Sequence, residues 1–449
     1  MNCPAFYCLR FAMFTIGLVT VASIWPSRLN ADSELGMLLG FDSERIAKTY
    51  PVKDVASAGE MAKLLYRLDR LPIEKIEQIA DLDQGQMTIS VSDALRIKGK
   101  IEEISLITVP EKLVEFLEME RFVRLQIASE DSDDRSAVEV FTSRLPSDAV
   151  VGDRVRGVGI CLNKSGGAVA TAPLQWFPAS PKNVGWKLLS EAGVDVGSLS
   201  SVAARNRKPL TGEDTEIFYH MLAAAADMKD HREAPKPIHA VDLLRDPIAY
   251  TGEWISLEVE TIQITRIAVV EPTRQQQLGS DHYYQIDAIG DLGNIVVEIA
   301  PTKDSGGKPA TFENRYPVSL VCKTLPAWLE ERIEQQAGTD SIVTPLTVPV
   351  TIDGFFYRLW SYSSEYMRQF GGGDQFGPLV IVANVTNREP SDADIVGVRR
   401  IGWIAAFAMG LGIFALLLWS FIVARRDRAV AQRRHQREAE QLEFPDESL

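Results

Sequence analysis

At 449 residues the chain is long enough for two or three domains in addition to its ends. Its 61 acidic residues against 47 basic ones give a net charge of −14. That balance argues against nucleic acid as a partner, because phosphate backbones are bound by Lys and Arg clusters. Four cysteines, two of them at positions 3 and 8, do not make a disulfide scaffold.

The amino end carries Arg10 and then the apolar stretch Phe11–Trp25. It has the length of a signal-peptide h-region and is short for a spanning helix. Small residues at Ala22, Ser23 and Ala31 offer cleavage sites, so residues 1–31 read as a signal peptide or, uncleaved, as a signal anchor.

A first module follows over residues 32–183. Ser57 and Glu60 have capping-box spacing before the helical pattern of Leu64, Leu65 and Leu68. Strands are expected near Leu95–Ile107, Phe122–Ala128, Val138–Ser143, Arg154–Leu162 and Pro173–Phe177. The acidic tip Glu130, Asp131, Asp133 and Asp134 reads as a hairpin loop. Asp81, Asp83 and Gly85 begin like a calcium loop but lack its remaining acidic ligands.

Residues 184–386 read as a helical linker and a second module. Thr211 and Asp214 form the capping pair before Ile217, Phe218 and Leu222. The charged, Pro-containing stretch Asp230–Pro237 reads as a linker. Strands are expected near Trp254–Ile267, Tyr283–Ile289, Pro317–Lys323, Thr347–Leu359 and Pro378–Val382. An extra strand is expected at Asn294–Ala300, followed by a loop at Lys303–Arg315.

The two modules align as a tandem repeat. V-E-V-F-T-S-R-L-P at 138–146 matches V-S-L-V-C-K-T-L-P at 318–326 in alternation and in its Leu-Pro stop. Gly159 then corresponds to Gly354. Cys161 and Cys322 fall in strands of different modules, either as buried free thiols or as a bridge.

After a polar tether at residues 387–400, the run Ile401–Val423 holds about 23 residues without a charge. At ~1.5 Å per residue it crosses a ~30 Å hydrocarbon core. Arg425, Arg426, Arg428, Arg433, Arg434 and Arg437 follow it, against Arg399 and Arg400 before it. The positive-inside rule places the tail, residues 424–449, in the cytoplasm and the large domain outside, as an extracytoplasmic (periplasmic) domain. The lipid bilayer is then one partner, and the cell membrane is the expected location.

The expected fold class is mainly β with flanking helices (α+β): two OB-like Greek-key barrels plus one C-terminal transmembrane helix. Signal, paired modules and anchor also resemble uncharacterised, membrane-anchored bacterial proteins with tandem OB-fold-like modules. In that family the strand after Leu-Pro ends in Gly-Phe-Phe and a basic residue near an aromatic. Gly354-Phe355-Phe356-Tyr357-Arg358-Leu359-Trp360 fits that pattern. The family carries no assigned activity, so the resemblance implies architecture and topology alone.

The densest aromatic stretch, Phe355–Phe376, is the expected contact region for a ligand or partner. Its candidate residues are Tyr357, Arg358, Trp360, Tyr362, Tyr366, Arg368, Phe370 and Asp374. They fall where an OB-like barrel places the loop between its fourth and fifth strands. The competing reading is that these rings fill the barrel or face lipid headgroups. No catalytic motif, metal-ligand spacing or dinucleotide loop stands out. The expected role is therefore a non-enzymatic, cofactor-free binding or scaffolding protein that contacts another envelope protein. A glycan or cell-wall ligand receptor is the alternative, and an enzyme acting between the barrels is a third reading.

Overall fold

The computed structural model describes residues 41, 43–71, 73–83, 89–129, 137–228, 231–299, 309–337, 342–369, 374–389, 406–420, 422, 423 and 428. The signal segment 1–31, the acidic tip 130–136, the tether from residue 390 and most of the tail lie outside them. The described chain is a mixed α+β protein with two sheets, one in each of two compact units, Met1–Ser200 and Ser201–Leu449.

The first unit begins with α1 (Ser43–Thr49), α2 (Val55–Leu68) and α3 (Ile73–Asp83). The capping box of α2 is Asp54 with Ser57, not Ser57 with Glu60. Glu60 is drawn instead to Arg45 at 2.8 Å and Lys63 at 2.7 Å. Met61, Leu64, Leu65 and Leu68 of α2 enter one core with Phe122, Phe141, Val158 and Ile160.

Its strands are β1 (Ala94–Thr108), β2 (Arg121–Ser129), β3 (Ala137–Thr142), β4 (Arg154–Cys161), β5 (Ala168–Thr171) and β6 (Gln175–Phe177), with α4 (Glu111–Leu117) between β1 and β2. The pairing path β1-β2-β3-β5-β4 returns to β1, so the sheet closes on itself. Only the β3–β5 pair is parallel. A register shift at Ile101/Glu103 lets β1 pair with β4 through one half and β2 through the other.

The fifth strand of this circuit is β5, not the expected Pro173–Phe177. Gln175–Phe177 is a short strand on the outer edge of β4. All four residues of β5 are buried, so the segment has no alternation to mark it as a strand. The chain then runs into α5 (Val184–Glu191), which contacts this unit rather than opening the next. The Trp186 ring meets Trp176 edge-on at 6.2 Å, and Asp195 accepts hydrogen bonds from the amides of Trp176 and Gly197. A further helix, α6 (Ser198–Ala204), spans the division between the units.

The second unit holds α7 (Thr215–Asp227), β7 (Lys236–Ile238), α8 (Ala240–Arg245), α9 (Pro247–Tyr250), β8 (Trp254–Ala268), α10 (Pro272–Leu278), β9 (His282–Ile299) and β10 (Ala310–Cys322). It continues with α11 (Ala327–Ala337), β11 (Val343–Pro345), β12 (Pro349–Tyr362), α12 (Glu365–Gln369) and β13 (Gln375–Asn387). The path β8-β9-β10-β13-β12 also returns to its first strand, and its β10–β13 pair is parallel. Ile255, Leu257, Ile286, Leu320, Ile352, Phe356 and Val380 line its core.

Asn294–Ala300 is not an extra strand. Residues through Ile299 continue β9 and pair with Ala310–Glu313, which were expected to be loop. Part of the expected linker Asp230–Pro237 is also ordered structure, since Lys236–Ile238 pairs in parallel with β8.

Gly159 and Gly354 occupy equivalent crossings. A Cβ at Gly159 would lie 2.4 Å from the Ala170 carbonyl oxygen, and one at Gly354 would lie 2.4 Å from that of Ile381. Any side chain there would push the fourth strand of its circuit off the fifth. Cys161 and Cys322 are both buried free thiols.

Among the described residues no helix is long and apolar enough to cross a membrane. Of the expected transmembrane run, residues 406–420, 422 and 423 are described. Residues 406–420 are helical, with Phe407, Leu416 and Trp419 at least 70% exposed.

Candidate functional site

The expected contact residues divide between core and surface. Tyr357 and Arg358 belong to strand β12, as the expected strand Thr347–Leu359 has them, but both have no exposed area. They are corrected to interior residues. Gly354-Phe355-Phe356 is likewise buried, with Phe356 in the unit's core and Phe355 against Trp254 at 4.8 Å.

The strand pattern explains this burial. Beyond Phe355, β12 has left β8 and would present a bare edge. The segment Arg205–Pro209 covers it. Arg207 N–H donates to the Leu359 carbonyl at 2.9 Å, and Ser361 N–H donates to that of Lys208 at 3.1 Å. The Arg358 guanidinium fixes the segment from beneath. Its Nη1 donates to the carbonyls of Arg205 at 2.6 Å and Lys208 at 2.8 Å, and its Nη2 to that of Pro209 at 3.0 Å.

Nη2 also reaches Asp214 Oδ2 at 2.9 Å. Asp214 Oδ1 accepts from Tyr357 Oη at 3.1 Å and from Arg205 Nη2 at 3.1 Å. Asp214 is positioned by the expected capping box, where the Thr211 amide donates to Oδ2 at 3.0 Å. Burial would raise the Asp214 pKa, but the Thr211 amide and the charges of Arg358 and Arg205 outweigh it and hold the carboxyl below its ordinary value. Burial, with the Asp214 charge beside it, pushes the Tyr357 phenol well up. Only Nε of Arg358 is left without a partner. This network is spent on the chain's own backbone and holds no reach toward a ligand.

The surface residues start where β12 ends. Trp360 and Tyr362 are i and i+2 on one face, with ring centroids 4.8 Å apart and planes 30° from parallel. Both are half-buried, and Trp360 Nε1 is enclosed without a hydrogen-bond partner. Tyr366, on α12, is 38% exposed; its hydroxyl donates to the Thr311 carbonyl at 3.0 Å and its ring lies 5.1 Å from Phe312. Phe312 continues to Tyr316 at 4.9 Å, whose hydroxyl donates to the Phe376 carbonyl at 2.5 Å. The exposed Arg207 guanidinium sits 5.6 Å from the Phe376 ring centroid.

Arg368 and Asp374 are exposed at the same end, with Ser361 Oγ 3.4 Å from Asp374. Phe370 lies outside the described residues. The surface therefore keeps Trp360, Tyr362, Tyr366, Arg368 and Asp374, and adds Arg207, Phe312 and Phe376. Sequence reasoning missed Arg207 and Phe312 because they arrive from a covering segment and from the extension of β10. The aromatic alternation of Phe312 and Tyr316 was the only signal available.

Among the described residues no group of three or more His, Cys, Asp or Glu side chains could hold a metal ion. Compared with known proteins, the chain matches no protein-family model and no curated protein in sequence.

Proposed function

We propose that this is a membrane-anchored binding or scaffolding protein, built of two OB-like Greek-key barrels with their added helices and strands, that holds a protein partner on the aromatic face at the end of β12. The five-strand circuit common to both units, with one parallel pair in the same place, supports the tandem OB-like reading. The uncharged run Ile401–Val423 with its arginine-rich flank supports a single-pass anchor, a cytoplasmic tail and an extracytoplasmic large domain.

The observation that carries the binding role is the surface itself. Trp, Tyr and Arg are the side chains that dominate protein interfaces, and here Trp360, Tyr362, Tyr366 and Arg207 share one end of one sheet. Trp360 and Tyr362 pack on each other, Tyr366 packs on Phe312 and Arg207 lies over Phe376, which limits the side-chain freedom lost on docking.

A photo-cross-linking side chain at Tyr366 of the full-length protein in native membranes tests this reading. One dominant protein adduct is expected, and Trp360→Ala should remove it while the unfolding transition persists. Adducts no stronger than those from the same cross-linker at Glu258 would overturn it. A glycan in place of a protein at Tyr366 would move the assignment to the receptor alternative.

A further inference from the structure

The two units share one strand circuit, and their registers match position to position. Gly159 crosses at the Ala170 carbonyl and Gly354 at that of Ile381. Ala170 pairs with Phe141 and Ile381 with Val321, so Phe141 and Val321 are equivalent. Two residues further on, Ser143 is then the counterpart of Lys323. On the neighbouring strand Val123 lies opposite Thr142, and Tyr284 lies opposite Cys322. Five residues before that strand pair, α4 ends on Glu118 and α10 ends on Gly279.

At this place the units differ. Both helix ends are left-handed, with φ +66° at Gly279 and +52° at Glu118, a conformation that favours glycine. In the second unit Lys323 lays its ammonium over Gly279, where a Cβ would come 3.3 Å from Nζ. The aligned peptide dipoles of a helix attract a cation at that end. In the first unit a serine stands in place of the lysine and a glutamate, strained by its positive φ, in place of the glycine. A cleft of about 310 Å³ opens there, walled by Glu118 and Ser143. Ser143 Oγ is enclosed without a hydrogen-bond partner, although it lies near enough to Asp69 to act on that carboxyl.

The rest of the wall selects the ligand. Asp69, the C-cap of α2, sets a second carboxylate at a helix C-terminus, the end that disfavours acids. Arg144 stands beside Asp69, and the Arg70 guanidinium lies 4.1 Å from the Tyr66 ring centroid. Two carboxylates and two guanidinia leave no charge surplus of either sign. A lone cation or anion is attracted by one pair and repelled by the other, whereas a zwitterion is attracted by both.

We propose that this cleft binds a free α-amino acid. The ligand's ammonium takes the place that Lys323 Nζ holds in the second unit, facing Glu118 and Asp69. Ser143 Oγ accepts from it and gains the partner it lacks. The ligand's carboxylate meets Arg70 and Arg144, whose planar forks match carboxylate geometry. Leu117, Met119 and Tyr66 give its side chain an apolar wall. The volume equals that of about ten waters at ~30 Å³ each, at the small end of the ~300–1,000 Å³ range of ligand pockets. The inference concerns the first unit and does not depend on the aromatic face of the second.

The test is titration calorimetry of the full-length protein in detergent at constant ionic strength. The probes are L-alanine, L-leucine, L-lysine and L-glutamate, followed by the amide and the N-acetyl derivative of the tightest of them. At least one amino acid should saturate a single site in the millimolar range or tighter. Its amide, which keeps only the ammonium, and its N-acetyl derivative, which keeps only the carboxylate, should each bind at least tenfold more weakly. Ser143→Lys restores the second unit's plug and Glu118→Gly its cap, and each should weaken binding at least tenfold. Glu118→Gly also relieves the positive φ, so its thermal midpoint should equal or exceed the parent's, which separates lost binding from lost folding. Glu115→Gln on α4 should change nothing. Absence of saturation by all four amino acids, an amide or N-acetyl derivative as tight as the amino acid, or a Ser143→Lys or Glu118→Gly variant that binds like the parent would overturn the proposal.

Discussion

Removing one partner from the Arg358–Asp214 pair strands the other inside the second unit, because Arg358 has no exposed area and Asp214 is 2% exposed. Breaking a buried pair from one side costs about 3–5 kcal/mol, more than an exposed ion pair ever contributes. Arg358→Met should therefore lower the unfolding midpoint of that unit by on the order of 10 °C in calorimetry. Arg358→Lys should recover little, since one ammonium cannot reach three carbonyls and a carboxylate together. The pH dependence has a definite sign. Asp214 has a native pKa below its ordinary value of 3.8, so its contribution is complete above that value and is lost as pH falls through the native one. Asp214→Asn should melt well below the parent at neutral pH and converge with it only in acid. Trp360 makes the opposite case. Its Nε1–H is enclosed and unpartnered, and an unmet donor is a cost the folded state already bears. Trp360→Phe should leave stability within about 1 kcal/mol of the parent, whereas Trp360→Ala forfeits packing; denaturant midpoints compare the two.

The segment that follows α5 is tied back to β6 by one aspartate, within the first unit. Asp195 Oδ1 accepts from the Trp176 and Gly197 amides, and Oδ2 accepts from Ser198 Oγ at 2.6 Å. Burial raises the Asp195 pKa despite these donors. A raised native pKa means its contribution is present at low pH and fades as pH climbs through that value. Asp195→Asn keeps an acceptor for the two amides without the buried charge, so it should match or exceed the parent's stability at neutral pH. Asp195→Ala leaves the amides unmet and should cost about 1–3 kcal/mol, read from urea unfolding. Much of the element order was legible in the sequence. Long half-buried strands such as β1, β4 and β8 announce themselves by alternation, and Gly159 and Gly354 were paired from their surroundings before the crossings were known. The misses have physical causes. Strand β5 is buried on both faces, and β9 continues past Gly290 and Gly293, which read as a break. Tyr357 and Arg358 were expected as contact residues at the end of a strand because the Arg205–Pro209 segment that covers them is about 150 positions away in sequence.

For the whole molecule, the apolar helix of this acidic chain is where the proposed membrane anchor is tested. The helical residues 406–420 expose Phe407, Phe414, Leu416, Leu417 and Trp419 together, a contiguous apolar surface that a soluble monomer does not leave uncovered. It lies within the uncharged run Ile401–Val423, the proposed anchor, where a bilayer would cover it. The full-length protein should accordingly remain in the membrane pellet after alkaline carbonate extraction, and a chain ending at residue 400 should not be held by this segment. Leu416 stands near the middle of the run, where an arginine costs about 2.5–3.5 kcal/mol of insertion on translocon scales. Leu416→Arg should thus reduce the inserted fraction roughly a hundredfold if insertion is near balance, and visibly less if the run's other apolar residues carry a surplus. Orientation is separable from insertion. The six arginines from Arg425 to Arg437 outnumber Arg399 and Arg400, so a thiol introduced by Ser448→Cys should react with a membrane-impermeant maleimide only after the cells are opened. Labelling of intact cells would invert the topology and move both closed sheets to the cytoplasmic side, where an extracellular glycan has no access and a cytosolic partner for the aromatic face becomes the reading to pursue.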